Sequence, residues 1–333
     1  MFEMLGFCIL LAAVLTLNTI TSSLAALIWH KLARRTTNWP PALRARLLFT
    51  LRVAPATISL LLALMMVLPA YLLNEPRNKV EPVSYQLGIL SVTSAIALCL
   101  AAWRGLNARS ATKRLVRNWL QSATPIEIPD LTIPAFRFPH QLPILAIIGS
   151  WRPKLFVSER LLQTLSPAEL AATIAHEKGH LIAKDNLKRV AVRMCCDVLS
   201  ILPSGRSLDR AWIEATEAAA DEYAAHQTQN MAVELASALI KIARLIPAGE
   251  RITLPVGAAL IGQDEPGVAF RVQALLAFDR RLNTTCDAQN ALFSFLYWCP
   301  VFGVALLALL LLSYPAILSN VHEITEFVIS QLK

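Results

Sequence analysis

Two histidines four positions apart are the residues in this sequence most suited to chemistry. They frame the segment His176-Glu177-Lys178-Gly179-His180, an H-E-x-x-H pattern. Side chains four residues apart lie on one face of a helix, so both imidazoles can point at one metal ion. Glu177 is turned by about 100° from His176, so it lies beside that ion and can take a proton from an attacking water. The pattern therefore predicts a hydrolytic zinc site, and the alternative is two surface histidines at a helix end.

A catalytic zinc site needs a third protein ligand, and a downstream acidic helix offers several. Glu217 and Asp221 are four residues apart and share a helix face. Glu217 can therefore bind the metal while Asp221 holds the far nitrogen of a ligand histidine. Glu214, seven residues before Asp221, lies on nearly the same face and is the main alternative ligand. His226 would face away on a straight helix, so we interpret it as a surface histidine. A solvated, glutamate-rich helix is the alternative interpretation of the whole segment.

Local signals place the H-E-x-x-H motif on a helix that follows a hairpin. Ser166 fits an N-cap, Pro167 fits the first helical position and Glu169 completes a capping box. We expect that helix to reach about Asp185. Five prolines between residues 123 and 143 indicate an extended, turn-rich segment. Two apolar runs around a turn, Ile144–Ile148 and Lys154–Ser158, then predict a β-hairpin. Four further helices are expected, and they cover 186–202, 208–226, 231–246 and 266–282. We expect Pro203 and Gly205 to end the first of these four helices.

The composition indicates a membrane protein. Of the 333 residues, 55% are hydrophobic and only 16% are charged, whereas a soluble domain usually has about a quarter charged residues. A bilayer span needs roughly 20 mostly apolar residues. Four segments meet this requirement, with the third the weakest: about 5–29, 53–73, 87–103 and 291–318. The alternative is that one of these segments is a buried core helix.

The charge distribution predicts how the chain is oriented in the membrane. The net charge is +8, but residues 30–52 and 104–117 hold eleven basic residues and no acidic one, which leaves −3 for the rest. Basic loops beside apolar segments mark a cytoplasmic face, so the charge does not predict nucleic-acid binding. We expect residues 1–104 to hold three spans and residues 105–290 to form a cytoplasmic domain. A short extracytoplasmic tail, 319–333, should follow the fourth span. The six cysteines show no C-x-x-C spacing and are expected to be reduced.

These segments resemble the integral-membrane gluzincin metallopeptidases. The resemblance rests on P-K-L-F-V-S at 153–158, L-S-P-A-E-L-A-A-T-I-A-H-E-K-G-H at 165–180 and E-A-A-A-D at 217–221. The aspartate at position 185, five residues after His180, resembles the pattern of the BlaR/MecR-type antibiotic-sensing branch, and the order of spans and domain resembles that branch as well. The glycine at position 179, directly before the second histidine, is instead similar to the motif of the HtpX and CAAX-protease branch. The motifs cover about residues 144–221, and the topology extends the resemblance to most of the chain.

The resemblance implies a role for each residue of the motifs. It implies His176, His180 and Glu217 as zinc ligands, Glu177 as general base and acid, and Asp221 as the partner of a ligand histidine. It further implies that a hairpin strand pairs with an extended substrate by β-addition. The antibiotic sensors carry a large extracytoplasmic domain after the fourth span, where this chain has only Asn320–Lys333, so β-lactam sensing is not implied. Candidates for stabilising the oxyanion are Tyr223 and His226.

The sequence therefore predicts an α-helical multi-pass membrane protein with a zincin-like α+β cytoplasmic metallopeptidase domain. We expect a zinc-dependent endopeptidase of the inner (cytoplasmic) membrane that cleaves a protein or peptide, such as a transcriptional repressor, in regulated proteolysis. One alternative is a membrane-protein quality-control protease. Another is a signalling scaffold without activity, which the intact Glu177 argues against. A transporter is disfavoured because the spans hold almost no ionisable residues.

Overall fold

Three long apolar helices form the N-terminal part of the protein. The computed structural model describes residues 2–76, 83–129, 131–195, 203–245, 265–278 and 315–331, and three single positions between 303 and 309. Helix α1 covers Phe2–Leu32, and α2 (Pro41–Leu62) passes through a π-helical turn into α3 (Leu68–Asn74). Helix α4 covers Tyr85–Ser122. All three units, with α2 and α3 counted as one, are long and apolar enough to cross a membrane.

Each of these units contains one of the first three predicted spans. Helix α4 is much longer than its predicted span, 87–103, because it continues without a break through the basic segment to Ser122. The predicted fourth span, 291–318, lies almost entirely outside the described residues. The last described helix, α11, covers Pro315–Gln331 and packs its Ile329 with Leu5, Tyr71 and other side chains of the apolar helices.

A small mixed sheet follows α4. Its strands are β1 (Thr124–Ile126), β2 (Ala135–Phe138), β3 (Leu145–Ile148) and β4 (Lys154–Ser158), in the order β1-β2-β4-β3. The predicted hairpin is confirmed, since β3 and β4 pair antiparallel from Leu145↔Val157 to Ile148↔Lys154. The proline-rich segment was expected to be extended and rich in turns, and the structure places β1 and β2 within it. Its prolines permit this because Pro125 lies in an edge strand and Pro134 precedes β2.

The described residues of the domain form six further helices. They are α5 (Glu159–Thr164), α6 (Pro167–Ala183), α7 (Asp185–Met194), α8 (Pro203–Ala225), α9 (Met231–Leu245) and α10 (Glu265–Leu276). The sequence analysis took Pro203 as the end of the helix over 186–202, and this was wrong. Pro203 instead begins α8, because the first turn of a helix has no use for the N–H that proline lacks. Residues of β3, β4, α6, α8 and α9 share one apolar core.

Helix α8 joins the membrane helices to this domain. Its N-terminal half buries Leu208 and Trp212 among apolar side chains of α1 and α2. Two polar contacts fix the same junction: the Arg52 Nε lies 2.7 Å from Asp209 Oδ1, and Trp29 Nε1 donates to Ser207 Oγ at 3.3 Å. Arg52 is only 4% exposed, so the contact with Asp209 offsets the cost of burying the charge of the guanidinium group.

The capping box of α6 is present and extends into the domain core. Ser166 Oγ accepts from the Glu169 N–H, and Glu169 Oε2 accepts from the Ser166 N–H at 2.8 Å. Ser237 and Lys241 of α9 also donate to the Glu169 carboxylate, at 2.6 and 2.8 Å. Burial alone would raise the pKa of Glu169, but the hydrogen bonds from Lys241, Ser237 and Ser166 outweigh it and lower that pKa to about 2.

Replacing Glu169 by glutamine should destabilise the fold by about 2 kcal/mol, because the charged hydrogen bonds are lost while the size is kept. The pKa of Glu169 is lowered from 4.5 to about 2, so the stabilisation is present above pH 4.5 and is lost as the pH falls through about 2. Urea unfolding of detergent-solubilised protein measures the difference. Glu159→Gln is the control: its side chain is 45% exposed and 3.6 Å from Arg137, so its effect should stay below about 1 kcal/mol. Equal effects would contradict this role of Glu169.

Candidate metal centre

Helices α6 and α8 bring three potential metal ligands together. His176 and His180 lie on one face of α6, with ring centroids 4.8 Å apart. Glu217 of α8 places Oε2 3.6 Å from His176 Nε2 and Oε1 3.4 Å from His180 Nε2. One donor atom from each of the three residues lies within 4.8 Å of the others, so the group could hold a metal ion.

A glycine allows this close approach of the two helices. A Cβ atom on Gly179 would lie 3.1 Å from Ala220 Cα and 3.3 Å from Tyr223 Cβ, both on α8. The contact with Ala220 Cα involves the backbone of α8, which cannot easily shift to make room. Gly179 therefore lets Glu217 reach the histidines, and its place in the H-E-x-x-H motif has a packing reason.

The donor atoms fit a zinc ion. His176 Nε2 is buried, and within the described part of the chain it has no hydrogen bond of acceptable geometry, which is costly for a polar atom unless a cation binds it. Two donors on a tetrahedral zinc, with bonds of about 2.0–2.1 Å, lie about 3.3–3.4 Å apart. The distances of 3.4 and 3.6 Å from Glu217 to the two Nε2 atoms are close to this value.

Two aspartates hold the far nitrogens of the histidines. Asp185 Oδ2 lies 2.7 Å from His180 Nδ1. Asp221 Oδ1 lies 2.8 Å from His176 Nδ1, although the alignment is poor for a hydrogen bond. Both contacts turn the Nε2 atoms toward Glu217, as carboxylates commonly do for metal-binding histidines. The sequence analysis gave Asp221 this position but assigned Asp185 no contact.

Asp185 reaches His180 because of the backbone at Lys184. That residue has φ 56°, a left-handed conformation that ends α6 and starts α7. The turn brings a side chain five residues after His180 back against it. The only sequence signal was the spacing between His180 and Asp185.

Two arginines missed by the sequence analysis surround Glu217. Arg271 of α10 places Nη1 3.1 Å from Glu217 Oε2, and its Nε and Nη2 each donate to the Asp221 carboxylate at 2.7 Å. Arg189 of α7 lies 3.5 Å from Glu217 Oε1. Arg271 follows Asp221 by 50 residues, and no local pattern marks it, so only the tertiary structure could reveal it.

The charges of this cluster shift the titration of its members. Burial alone would raise the pKa of Glu217, but His180, His176 and Arg271 outweigh it and hold that pKa well below its ordinary value. Burial lowers the pKa of His180, but Glu217 and Asp185 outweigh it and raise the pKa to about 10. The pKa of His176 is raised in the same way by Asp221 and Glu217 against its burial. The centre therefore favours added positive charge, which a divalent cation would supply in place of protons.

Glu177 lies between the three potential ligands and the edge of the sheet. It is 7% exposed, and its Oε2 accepts from the Ile147 N–H of β3 at 3.2 Å. Asn186 of α7 donates to the Ile147 and Gly149 carbonyls at 2.7 and 3.3 Å. Strand β3 is an edge strand whose other side pairs with β4. Helices α6 and α7 are thus bonded to the free edge of the sheet at Ile147.

The other sequence candidates lie outside this group. Glu214, the alternative third ligand, is exposed on α8. His226 was expected at the surface, but it is half-buried with its ring 5.0 Å from that of Phe278. Its partial burial arises because α8 ends at Ala225 and the chain turns there. Tyr223 is half-buried where α8 approaches Gly179.

Residues 146–246 match the model of Peptidase family M48. The match includes the H-E-x-x-H motif and Glu217, and it ends before Arg271. This part of the chain is therefore similar to the metallopeptidases of that family. No curated protein matches the chain.

A matched pair of substitutions on α8 tests the third ligand. Glu217→Gln should weaken zinc binding by at least about 100-fold, because even the partners of metal ligands account for 10–100-fold. Glu214→Gln removes the same charge from an exposed position and should leave zinc binding unchanged. Zinc per chain is measured by mass spectrometry of the metal after dialysis against a graded chelator. Zinc loss in Glu214→Gln together with retention in Glu217→Gln would show that the assignment is wrong.

Proposed function

We propose that this chain, whose residues 146–246 match the model of Peptidase family M48, is a membrane-embedded zinc-dependent endopeptidase. The observation that carries the proposal is the convergence of His176, His180 and Glu217 on one point, with Glu177 beside them and an edge strand next to Glu177. Ligands, base and a place for an extended chain are the three parts that peptide hydrolysis needs.

In this proposal His176, His180 and Glu217 hold the zinc ion. When bound there, zinc supplies Lewis-acid chemistry: it polarises a carbonyl group and makes water acidic near neutral pH. Asp221 and Asp185 keep the two imidazoles oriented toward the ion from behind. Arg271 holds Glu217 and Asp221 in place and offsets their mutual repulsion.

Glu177 acts as the general base and acid. It takes the proton of the attacking water and then gives it to the amine that leaves. Its carboxylate is nearly buried, which excludes bulk water from the proton's route. Since it also contacts the Ile147 N–H, a peptide bond that lies along β3 is within its reach.

The substrate binds as an added strand on β3. In the antiparallel pair with β4, Ile144 accepts from Ser158, so alternate residues face β4 and Leu145 and Ile147 face the free edge. Ile147 is already bonded by Glu177 and Asn186, so Leu145 provides the main-chain groups for an incoming chain. Main-chain pairing of this kind favours an unfolded or extended protein segment over a folded surface.

The domain lies at the cytoplasmic membrane face in this proposal. Helix α8 packs against the ends of α1 and α2 that carry the basic residues, and such residues mark the cytoplasmic side. A cytoplasm-active reporter fused after Arg117 should be active, and one that needs the periplasm should be inactive there. The opposite result would contradict the proposed orientation.

Regulated cleavage of a protein such as a transcriptional repressor is the proposed role. Asp185, the residue that resembles the BlaR/MecR-type branch, contacts the potential ligand His180 directly, so that resemblance concerns the metal centre itself. Gly179, which resembles the HtpX branch, has a packing reason between α6 and α8 and therefore favours neither branch.

Glu177→Gln should lower the cleavage rate by about 10²- to 10⁴-fold, because the proton acceptor is lost. Zinc content and thermal stability should remain, since Glu177 is not one of the three ligands. New protein N-termini in cells, enriched and identified by mass spectrometry, provide the measurement. They should occur with the wild-type gene and be missing from both a deletion strain and Glu177→Gln.

Glu214→Gln, which removes an exposed charge from α8, is the control and should behave as wild type. A scaffold depends on shape alone, and Glu177→Gln barely alters shape. Full rescue of a deletion phenotype by Glu177→Gln would therefore contradict the peptidase proposal, even if this variant still binds zinc.

A further inference from the structure

A cleft of about 520 Å³ opens between α4, α7 and the junction of α2 with α8. Its polar lining is mostly cationic, and none of the lining residues belongs to the metal centre. The residues that matter here are Arg52, Trp103, Arg104, Asn107, Arg193 and Asp209.

Arginines outnumber carboxylates among the described residues that line this cleft. These residues include three arginines and one carboxylate, and that carboxylate, Asp209, lies 2.7 Å from Arg52. Helix α4 has no acidic residue, and the only one on α7, Asp185, is held by His180 and Lys188. Burial and the neighbouring Arg189 lower the pKa of Arg193. Arg193 has no ion pair among the described residues, and its charge beside that of Arg104 favours an anionic ligand.

An apolar groove continues from the cleft along α4. It has a volume of about 580 Å³, and Val92, Ile96, Leu100 and Trp103 are among the residues that line it. These positions follow one another at helical spacing and cover about 16 Å along the helix. All four side chains are more than 40% exposed within the described part of the chain.

Trp103 lines both the groove and the cleft, so the two form one surface. Tryptophan is enriched at the depth of the lipid headgroups. One end of the surface therefore suits an acyl chain, and the other end, beyond Trp103, suits an anion at the membrane boundary. Basic pockets beside membrane helices on the cytoplasmic side bind anionic headgroups.

We propose that this surface binds one anionic phospholipid, with the phosphate between Arg104 and Arg193 and an acyl chain along the α4 groove. The proposal rests on the orientation given under Proposed function, because the cytoplasmic leaflet is where anionic lipids meet these arginines. A free phosphate would fill only the cationic half of the surface. The bound lipid would contact α7 and α8, the helices that carry Arg189 and Glu217.

The test uses full-length protein in detergent, titrated with dioleoylphosphatidylglycerol and followed by native mass spectrometry. Wild-type protein should bind one such lipid in preference to dioleoylphosphatidylcholine. Each arginine near an anionic headgroup accounts for roughly fivefold in affinity. Arg193→Gln should therefore bind about fivefold more weakly, and Arg104→Gln/Arg193→Gln about 30-fold more weakly.

The matched control is Arg109→Gln/Arg117→Gln, which removes the same charge from exposed positions of α4 that do not line the cleft. This variant should keep the wild-type affinity. Equal weakening in both double variants would overturn the proposal, because the attraction would then be a general effect of a basic helix. Equal binding of the two lipids by wild-type protein would overturn it as well.

Two further arms separate lipid from other sources of phosphate. Neither inorganic phosphate nor glycerophosphoglycerol, the headgroup without its chains, should displace the lipid at equal concentration. Displacement would show that the site recognises phosphate alone.

Glu177→Gln protein should bind the lipid as wild type does, so a failure of the lipid site and a failure of the peptidase proposal remain distinguishable. Arg193 has no ion pair among the described residues, so Arg193→Gln tests the site even if the double variant misfolds.

Discussion

The charge balance around the Glu217 carboxylate is the constraint on which the metal centre depends. Asp221 is buried and Glu217, four residues before it on α8, is largely covered, and carboxylates in such surroundings are stable only when cations face them. Arg271 contacts both carboxylates, and the two histidines present their Nε2 atoms to Glu217 at 3.6 and 3.4 Å. The pKa of His180, raised to about 10, shows how strongly the site prefers a positive charge. A divalent cation fits this preference better than two separate protons, because one ion can contact all three donors.

Helix α8 connects this charge balance to the apolar helices α1 and α2. Its first half is held by the buried contacts of Leu208 and Trp212 and by the pair between Arg52 and Asp209. Its second half carries Glu217 and ends in the core shared with the sheet. A single rigid element therefore sets the distance between the apolar helices and the candidate active site.

Local chemistry was predictable from the sequence, and long-range partners were not. The capping box of Ser166 and Glu169 and the hairpin of β3 and β4 depend on neighbours in sequence, so their patterns were visible. Pro203 was misread because proline can either end a helix or begin one, and only the packing of α8 decides. Arg271 contacts Asp221 across 50 residues, and a basic residue on an ordinary helix carries no signal of that contact. Asp185 was visible only as a spacing, because its contact requires the left-handed backbone of Lys184.

The most direct test of the account is X-ray absorption spectroscopy at the zinc edge on the purified wild-type protein. The account predicts one zinc per chain with two imidazole nitrogens at about 2.0–2.1 Å and a carboxylate oxygen at about 2.0–2.2 Å. The multiple scattering of two imidazole rings should be present and should fall to that of one ring in His180→Ala. A first shell with sulfur at about 2.3 Å, or one without imidazole scattering, would contradict the assignment of His176, His180 and Glu217.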